Sequence, residues 1–259
     1  MPSSRVDYDA IAERYDSSPH REKSPDPELA AFLAARGSAA DVSLLDIACG
    51  TGNQLIADRC LAPRARLVGV DGSLGMLRQA RRKAADIAWV QGDCAALPFA
   101  TGGFDFVSCQ YAFHHFRDKA SMLREAFRVL RGGGRFALYN LSPHDMPDFV
   151  YYAYFPQAQD RDHEDFWPPR RIAAGMRAAG FAAVTMKRVH RRYDHHLSDF
   201  LATARRRENN SQLLTLSDAA YEAGLRRIER DLAAGEAARR YADHLCFLTV
   251  QGDKPVTID

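Results

Sequence analysis

The sequence predicts an α/β protein built on one open, largely parallel β-sheet. Short apolar segments alternate with helical segments through the first half of the chain, and this alternation is typical of parallel sheets. The stretch 43–54, SLLDIACGTGNQ, runs from a buried strand through a turn of small residues into a helix that starts near Asn53. A turn of this kind presents backbone N–H groups to a ligand.

The composition suits a single domain over residues 1–259. Of the 259 residues, 46% are hydrophobic. The net charge is only +2, from 35 basic and 33 acidic residues, so the overall electrostatic field does not favour binding of nucleic acid. The five cysteines form no C-x-x-C pair, which favours reduced thiols and a cytoplasmic protein. The N-terminus has no apolar core, and no apolar run reaches the ~18 residues of a membrane span.

Hydrophobic periodicity and turn residues locate the expected elements. We predict strands at 43–47, 65–70, 87–91, 104–109, 136–141 and 243–251, with a sixth strand following a helix within 170–184. Further helices are predicted at 27–36, 54–60, 120–130, 197–208 and 217–233. Residues 142–169 are aromatic and contain prolines, and we interpret them as a long loop that caps an acceptor pocket; a hydrophobic dimer contact is the alternative.

The glycine turn discriminates between two kinds of adenosine cofactor. A dinucleotide site requires G-x-G-x-x-G, and Ala48, Gly50 and Asn53 occupy those three places. Asp46 would repel a pyrophosphate, whereas a cofactor that carries a sulfonium and an ammonium suits a carboxylate there. Asp71 ends the second strand, 25 residues after Asp46, where an acid accepts the hydroxyl groups of a ribose.

Four motifs at predicted strand ends resemble those of the class I S-adenosylmethionine-dependent methyltransferases: DIACGTG at 46–52, DGSLGML at 71–77, GDCAALPF at 92–99 and EAFRVLRGGGR at 125–135. The resemblance covers residues 6–141 and, more weakly, 170–184. Ala48 and Gly132 depart from the usual glycine and proline. The resemblance implies a Rossmann-like, doubly wound sheet of seven strands with the last strand antiparallel beside the fifth, plus a helical and aromatic cap.

The resemblance also implies S-adenosylmethionine as cofactor, S-adenosylhomocysteine as product, and a set of binding residues. In the family, an acid such as Asp71 holds the ribose, Met76 lies against the adenine, Asp93 and the Cys94 amide contact the adenine edge, and Gln110 faces the methionine part. The expected cofactor-binding residues are Tyr15, Asp46, Ala48, Gly50, Gly52, Asp71, Gly72, Met76, Asp93, Cys94 and Gln110.

The resemblance divides the chain into an N-terminal arm at 1–36, a cofactor-binding core at 37–141, the cap at 142–169 and a C-terminal part at 170–259. In the family, an arm similar to 6–16 folds over the cofactor as part of a lid. An amphipathic arm that packs on the sheet edge is the alternative interpretation of this segment.

Methyl transfer needs a base only where the acceptor still carries a proton at the attack step. Tyr111, His114 and His115, just beyond Gln110, are the candidate catalytic residues, and a structural role for the paired histidines is the alternative. His144, His163 and Tyr152 of the cap are further candidates. Cys49, Cys94 and Cys109 fall at strand ends, where packing is favoured over binding of a soft metalloid. We expect no bound metal.

Two enzymatic functions follow from these features. The favoured one is methyl transfer to a small-molecule acceptor at O, N or C, by a monomer or homodimer. The alternative is RNA modification that uses the basic stretch 187–207, although a solvated helical face is the preferred interpretation of that stretch. A non-catalytic cofactor-binding protein is a third hypothesis, and the intact motifs disfavour it.

Overall fold

The computed structural model describes residues 6–17, 21–37, 42–207, 210–235 and 240–256. Parts of two predictions, positions 1–5 and 18–20 of the arm and position 208 of the helix at 197–208, lie outside the described residues. Within the described ranges, no helix combines the length and the apolar character needed to cross a membrane.

One seven-stranded sheet organises the fold, and its strand order is β3-β2-β1-β4-β5-β7-β6. The first five strands are parallel, and β7 runs antiparallel to both β5 and β6. The predicted fold class is confirmed, including the last strand beside the fifth. The strands are β1 Ser43–Ile47, β2 Arg66–Asp71, β3 Ala88–Gln91, β4 Phe104–Gln110, β5 Leu130–Leu141, β6 Ala182–His196 and β7 Arg240–Asp253.

The helices cover both faces of the parallel part, which explains the continuous burial of strands such as β1. The α-helices of the described residues are α1 Tyr8–Ile11, α2 Pro27–Arg36, α3 Asn53–Asp58, α4 Leu74–Lys83, α5 Lys119–Val129, α6 Val150–Tyr154, α7 Pro156–Asp165, α8 Pro169–Ala178, α9 Leu197–Ala204, α10 Ser211–Leu214 and α11 Asp218–Ala233. Side chains of α5 and α8 form one core against the sheet, and those of α2, α3 and α4 form another.

A third hydrophobic cluster lies outside the sheet core. It joins the aromatic residues of α6, among them Tyr151 and Tyr154, to Phe155 and to apolar residues of α9 and α11. We call α6, α7, α9, α10 and α11 the cap helices. The long strands β6 and β7 stay paired out to His196 and Arg240, so the cap helices stand beside an extension of the sheet.

Three sequence-based expectations are wrong in detail. The segment 142–169 is no loop: it holds α6 and α7, whose apolar side chains are buried in the third cluster. Strand β5 begins at Leu130 rather than 136, because the glycine turn is an irregularity within the strand. The basic residues 187–192 lie on the edge strand β6 and not on a helix, and charged side chains are a common feature of exposed sheet edges.

Candidate active site

The turn after β1 is held in a left-handed backbone conformation at three residues. The φ angles are +56° at Ala48, +55° at Gly50 and +78° at Gly52. Residues other than glycine rarely adopt this conformation, and Ala48 adopts it where the usual motif has glycine. The departure at Ala48 therefore carries backbone strain, which the surrounding strand ends hold in place.

The two glycines of this turn have different surroundings. A Cβ atom on Gly52 would lie 2.3 Å from the Trp89 ring, so Gly52 is required by packing. A Cβ atom on Gly50 would meet nothing within 4 Å. The backbone at Gly50 thus borders open space at the carboxyl edge of the sheet, where ligands of open α/β sheets bind.

Asp46 lies at the end of β1 and is buried, with 3% of its surface exposed. Its carboxylate accepts a hydrogen bond of 2.7 Å from Ser108 Oγ on the neighbouring strand β4. Burial raises the pKa of Asp46 to about 7, against the opposing effects of the Ser108 bond and the Lys23 charge. This carboxyl group is therefore close to its ionisation point at neutral pH.

Asp71 ties the glycine turn to the start of α4. One carboxylate oxygen accepts from the Gly50 amide at 2.8 Å, and the other accepts from the Ser73 amide at 2.8 Å. Burial raises the pKa of Asp71, and these backbone bonds counteract the shift. Gly72 beside it is exposed. Ser73 caps α4 by accepting from the Met76 amide, and Met76 is fully buried.

The turn after β3 contains the two other predicted adenine-side residues. Asp93 accepts from the Ala95 amide at 2.8 Å, which fixes the turn, while Cys94 is buried beside it. Burial raises the pKa of the Cys94 thiol to about 12 and places those of Cys49 and Cys109 well above their usual range. All three thiols are protonated at neutral pH, which agrees with a packing role.

The N-terminal arm crosses the carboxyl edge of the sheet and is tied to three of its turns. Asp9 accepts from Ser73 Oγ at 3.0 Å, and Asp16 accepts from Thr51 Oγ1 at 2.7 Å. Tyr8 and His115 share a hydrogen bond of 2.7 Å between Oη and Nε2. Tyr15 lies beside Tyr8, with ring centroids 6.2 Å apart. The arm thus contacts the turns that follow β1, β2 and β4.

The loop beyond β4 opens into a cavity of about 1350 Å³ between the arm, the sheet and the cap helices. Five of the predicted site residues line this cavity: Tyr15, Gln110, Tyr111, His114 and His115. The other nine stand at the same sheet edge but outside the cavity lining: Asp46, Ala48, Gly50, Gly52, Asp71, Gly72, Met76, Asp93 and Cys94. The edge is therefore divided into a glycine-turn side and a cavity side, with Gln110 at the junction.

The paired histidines are packed tightly and uncharged. The His114 ring stacks on Phe166 of the cap at 4.0 Å between centroids, and the His115 ring is tilted against it by 45° at 3.9 Å between centroids. Burial lowers the pKa of His115 to about 4 and that of His114 well below its usual range. His114 Nδ1 is buried and has no hydrogen-bond partner among the described residues.

Of the other cap candidates, His144 donates from Nε2 to the Phe166 carbonyl oxygen at 2.9 Å and stacks on His163 at 4.6 Å between centroids. Tyr152 donates to Asp162 at 2.8 Å. Each of these side chains is thus committed to contacts within the cap. In the described part of the chain, no cluster of three or more histidine, cysteine or acidic side chains could hold a metal ion.

Sequence analysis missed Asp26, which lies at the base of the cavity. It caps α2 by accepting from the Glu28 and Leu29 amides, accepts from the Tyr139 hydroxyl, and stands 3.5 Å from Gln110 Nε2. The Asp-Pro step before an apolar helical stretch was its signal, because aspartate is a favoured N-cap and proline a favoured first helical residue. Its contact with the Gln110 side chain has no local signature.

The chain is similar in sequence to known methyltransferases. Residues 45–138 match the family model described as a methyltransferase domain. A demethylmenaquinone methyltransferase of Thermus thermophilus is 33% identical over 162 residues, which are 54% of this chain and 74% of the relative.

Solved structures share the fold at lower identity. A putative methyltransferase of Bacillus halodurans has a TM-score of 0.62 at 22% identity, covering 89% of this chain and all of the other. Phosphoethanolamine N-methyltransferase 2 of Haemonchus contortus, in complex with S-adenosyl-L-methionine, has a TM-score of 0.58 at 17% identity over 96% of this chain and 60% of its own.

The seven-stranded sheet and the glycine turn at its carboxyl edge define a methyltransferase of the Rossmann-like type. The chain belongs to the class I S-adenosylmethionine-dependent methyltransferases, and S-adenosylmethionine is its cofactor. The open space at Gly50, the buried carboxyl group of Asp46 and the carboxylate of Asp71 are compatible with that cofactor.

Proposed function

We propose that this methyltransferase acts on a small-molecule acceptor, at an O, N or C atom, bound in the cavity between the arm and the cap helices. The cavity is the observation that carries the proposal. Its volume of about 1350 Å³ exceeds the roughly 300–1,000 Å³ of ordinary ligand sites. It therefore has room for the methionine end of the cofactor together with an acceptor of considerable size.

The proposed cofactor site lies on the glycine-turn side of the sheet edge. Gly50 permits close approach of the backbone, Asp71 is positioned for the ribose hydroxyls, and Asp93 with the Cys94 amide for the adenine edge. Asp46 would face the ammonium group. When bound, S-adenosylmethionine supplies an electrophilic methyl group on a sulfonium with a neutral leaving group. Gln110 would hold its methionine part at the mouth of the cavity.

On the acceptor side, the chain's contribution is alignment and exclusion of water, which together lower the barrier of a displacement. Tyr8 and Tyr15 would close the cavity from the arm, and Phe166 from the cap. His115 is a weak base, because its pKa is about 4, and its Nε2 is already hydrogen-bonded to Tyr8. We therefore propose that Tyr111, His114 and His115 shape the pocket and orient the acceptor rather than remove a proton.

The relatives support an acceptor of small-molecule size. The Thermus thermophilus relative is named for a demethylmenaquinone, and the Haemonchus contortus neighbour for phosphoethanolamine. These two acceptors differ greatly in polarity, so they do not define the acceptor of this chain.

The alternative acceptor, RNA, finds less support in the basic stretch 187–207. Arg188, Arg192, Arg205 and Arg207 each stand within 4 Å of a carboxylate, on Asp145, Asp194, Glu229 and Asp218 respectively. Arginines that already have carboxylate neighbours bind an RNA backbone weakly, because the phosphates must compete with those carboxylates.

A turnover assay tests the proposal. The purified protein is incubated with S-adenosylmethionine and separate panels of quinols, phenols, amines and carboxylic acids, or with total RNA, and S-adenosylhomocysteine is measured by mass spectrometry. We expect product with at least one small-molecule class. Turnover confined to RNA would overturn the proposal, and cofactor binding without turnover on any acceptor would favour the non-catalytic hypothesis.

A further inference from the structure

Strand β6 presents alternate side chains to two different environments, as the period of two in a β-strand requires. Lys187, Val189, Arg191 and Tyr193 line the cavity. Arg188 and Arg192, between them, are outside the cavity lining. Two of the four lysine and arginine residues of β6 therefore border the proposed acceptor site, and the other two lie outside it.

The two pairs of cations differ in their partners. Arg188 forms an ion pair with Asp145 at 3.0 Å, and Arg192 approaches Asp194 at 3.6 Å. Neither Lys187 nor Arg191 forms an ion pair with a carboxylate in the part of the chain that the structure describes. Among the described residues, the two cations on the cavity side thus have no carboxylate within 4 Å, although carboxylates such as Asp199 and Asp243 line the same cavity, whereas the two cations on the other side are paired.

The facing strand supplies no counter-charge directly opposite these two cations. Thr249 of β7 is paired with Lys187, and Leu245 is paired with Arg191. The carboxylate on this side of β7 belongs to Asp243, which lies opposite Tyr193, is buried, and accepts from the Val150 amide at 2.7 Å.

Apolar surface surrounds the unpaired charges. The cavity also contains Phe247 and Tyr111, and the Arg191 guanidinium lies 5.8 Å from the centroid of the Phe247 ring. Tyr111, which follows Gln110 directly, is 37% exposed, and Lys23 Nζ lies 4.5 Å from the centroid of its ring. Two cation–aromatic pairs, Lys23 with Tyr111 and Arg191 with Phe247, thus line the cavity.

We propose that the acceptor is an amphipathic organic anion, with an aromatic or apolar body against Tyr111 and Phe247 and a carboxylate or phosphate group held by Lys187 and Arg191. The inference rests on the proposed function, since it assigns a substrate class to the same cavity. Protection of a sheet edge by charge is the competing explanation for cations on β6, and it would apply to both sides of the strand alike.

The test uses two fluorescent probes with one aromatic skeleton. 1-Anilinonaphthalene-8-sulfonate carries an anionic group, and N-phenyl-1-naphthylamine lacks it. Both are titrated into protein saturated with S-adenosylhomocysteine, whose binding is first verified by calorimetry. The cavity-side variant is Lys187→Gln/Arg191→Gln. The matched control on the same strand, with the same loss of charge, is Arg188→Gln/Arg192→Gln, and circular dichroism verifies the fold of each.

We expect the cavity-side variant to weaken binding of the sulfonate probe by about tenfold, which is the effect of one charge-assisted contact. Its affinity for the neutral probe should change by no more than about twofold. In the control variant, the affinity for each probe should change by no more than about twofold. Competition by benzoate or phenyl phosphate, and not by benzyl alcohol, would support an anionic acceptor. Whichever of the two anions displaces the probe more strongly would indicate whether the site prefers a carboxylate or a phosphate.

Equal effects of the two double variants, or no effect of either, would overturn the anionic acceptor while leaving small-molecule methyl transfer intact. Failure of the wild-type protein to bind the sulfonate probe, with S-adenosylhomocysteine bound normally, would also overturn the anionic acceptor, whereas small-molecule methyl transfer is decided by the turnover assay. Competition by benzyl alcohol as strong as that by the two anions would also contradict the inference.

Discussion

The phenolic oxygen of Tyr8 lies 2.7 Å from Nε2 of His115, and this contact joins two residues that are 107 positions apart in the chain. Their rings meet edge to face, with centroids 5.3 Å apart. His115 in turn packs on His114, which stacks on Phe166 of the cap. The arm and the cap are thereby connected through the loop that follows β4, at the mouth of the cavity.

The first prediction concerns this connection. Tyr8→Phe removes the hydrogen bond and keeps the ring contacts, so it should lower stability by ~0.5–1.5 kcal/mol. Amide hydrogen exchange at 8–17 should become faster in the free protein, and binding of S-adenosylhomocysteine should slow it again if the arm is a lid. If amide exchange in the arm is slow in both the wild type and Tyr8→Phe, with and without ligand, the arm is a rigid part of the cavity and not a lid.

The second prediction separates the two glycines of the turn. Gly50→Val should abolish binding of S-adenosylhomocysteine, because the side chain enters open space at the proposed cofactor site. The φ angle of +55° at Gly50 also strains the turn in this variant, so a near-native circular dichroism spectrum is the control for folding. Gly52→Ala should instead lower the free energy of unfolding, because its Cβ would lie 2.3 Å from the Trp89 ring. Calorimetry and urea unfolding measure the two effects, and unchanged affinity in Gly50→Val would contradict the assignment.

The third prediction concerns Asp71. Replacement by alanine should weaken binding of S-adenosylhomocysteine by ~1.5–3 kcal/mol, because charge-assisted bonds to the ribose are lost. Asp118→Ala is the control, since Asp118 also accepts a backbone amide, that of Ser121, at the start of α5. A similar loss of affinity in both variants, measured by calorimetric titration, would indicate a general loss of stability.

The fourth prediction uses the ionisation of Asp46. Its pKa is about 7 in the folded protein against an ordinary value of 3.8, so the folded state binds the proton more tightly between these values. The stability that this proton contributes is present at low pH and is lost as the pH rises from about 4 to about 7. Asp46→Asn should therefore stabilise the protein more at about pH 8 than at about pH 5.

The same ionisation should appear in cofactor binding. If Asp46 faces the ammonium group, affinity for S-adenosylmethionine rises between about pH 5.5 and about pH 7.5, and Asp46→Asn removes the rise. Asp58→Asn is the matched control, since burial also raises the pKa of Asp58 to about 7. It should alter the pH dependence of stability and leave that of binding as in the wild type.

Features of the fold could be predicted where the residues that define them are contiguous in the sequence. The glycine turn, Asp71 and Asp93 stand at strand ends, and their motifs are contiguous, so the parallel sheet and its binding edge could be predicted. The cap could not be predicted in detail. Helix α6 is only five residues long, and its helical state depends on burial of Tyr151 and Tyr154 against distant residues of α9 and α11.

The sixth strand was predicted within 170–184, and its extension to His196 was missed for a different physical reason. Its residues between 185 and 194 are largely exposed on both sides of the strand, so the sequence lacks the alternation of apolar and polar residues by which strands are recognised. Pairing with β7, from Ala182 to His196, determines its conformation. The contact of Asp26 with Gln110 likewise depends on tertiary placement, since 84 residues separate the two.

A structure of the protein with S-adenosylhomocysteine tests the central claim most directly. We predict that the ribose lies at Asp71, the adenine beside Asp93, and the homocysteine sulfur at Gln110, directed into the cavity lined by Tyr111 and His115. The sulfur is the decisive atom, since the methyl group leaves from it. A sulfur directed away from this cavity, or a ligand bound among the cap helices and remote from Gly50, would contradict the account.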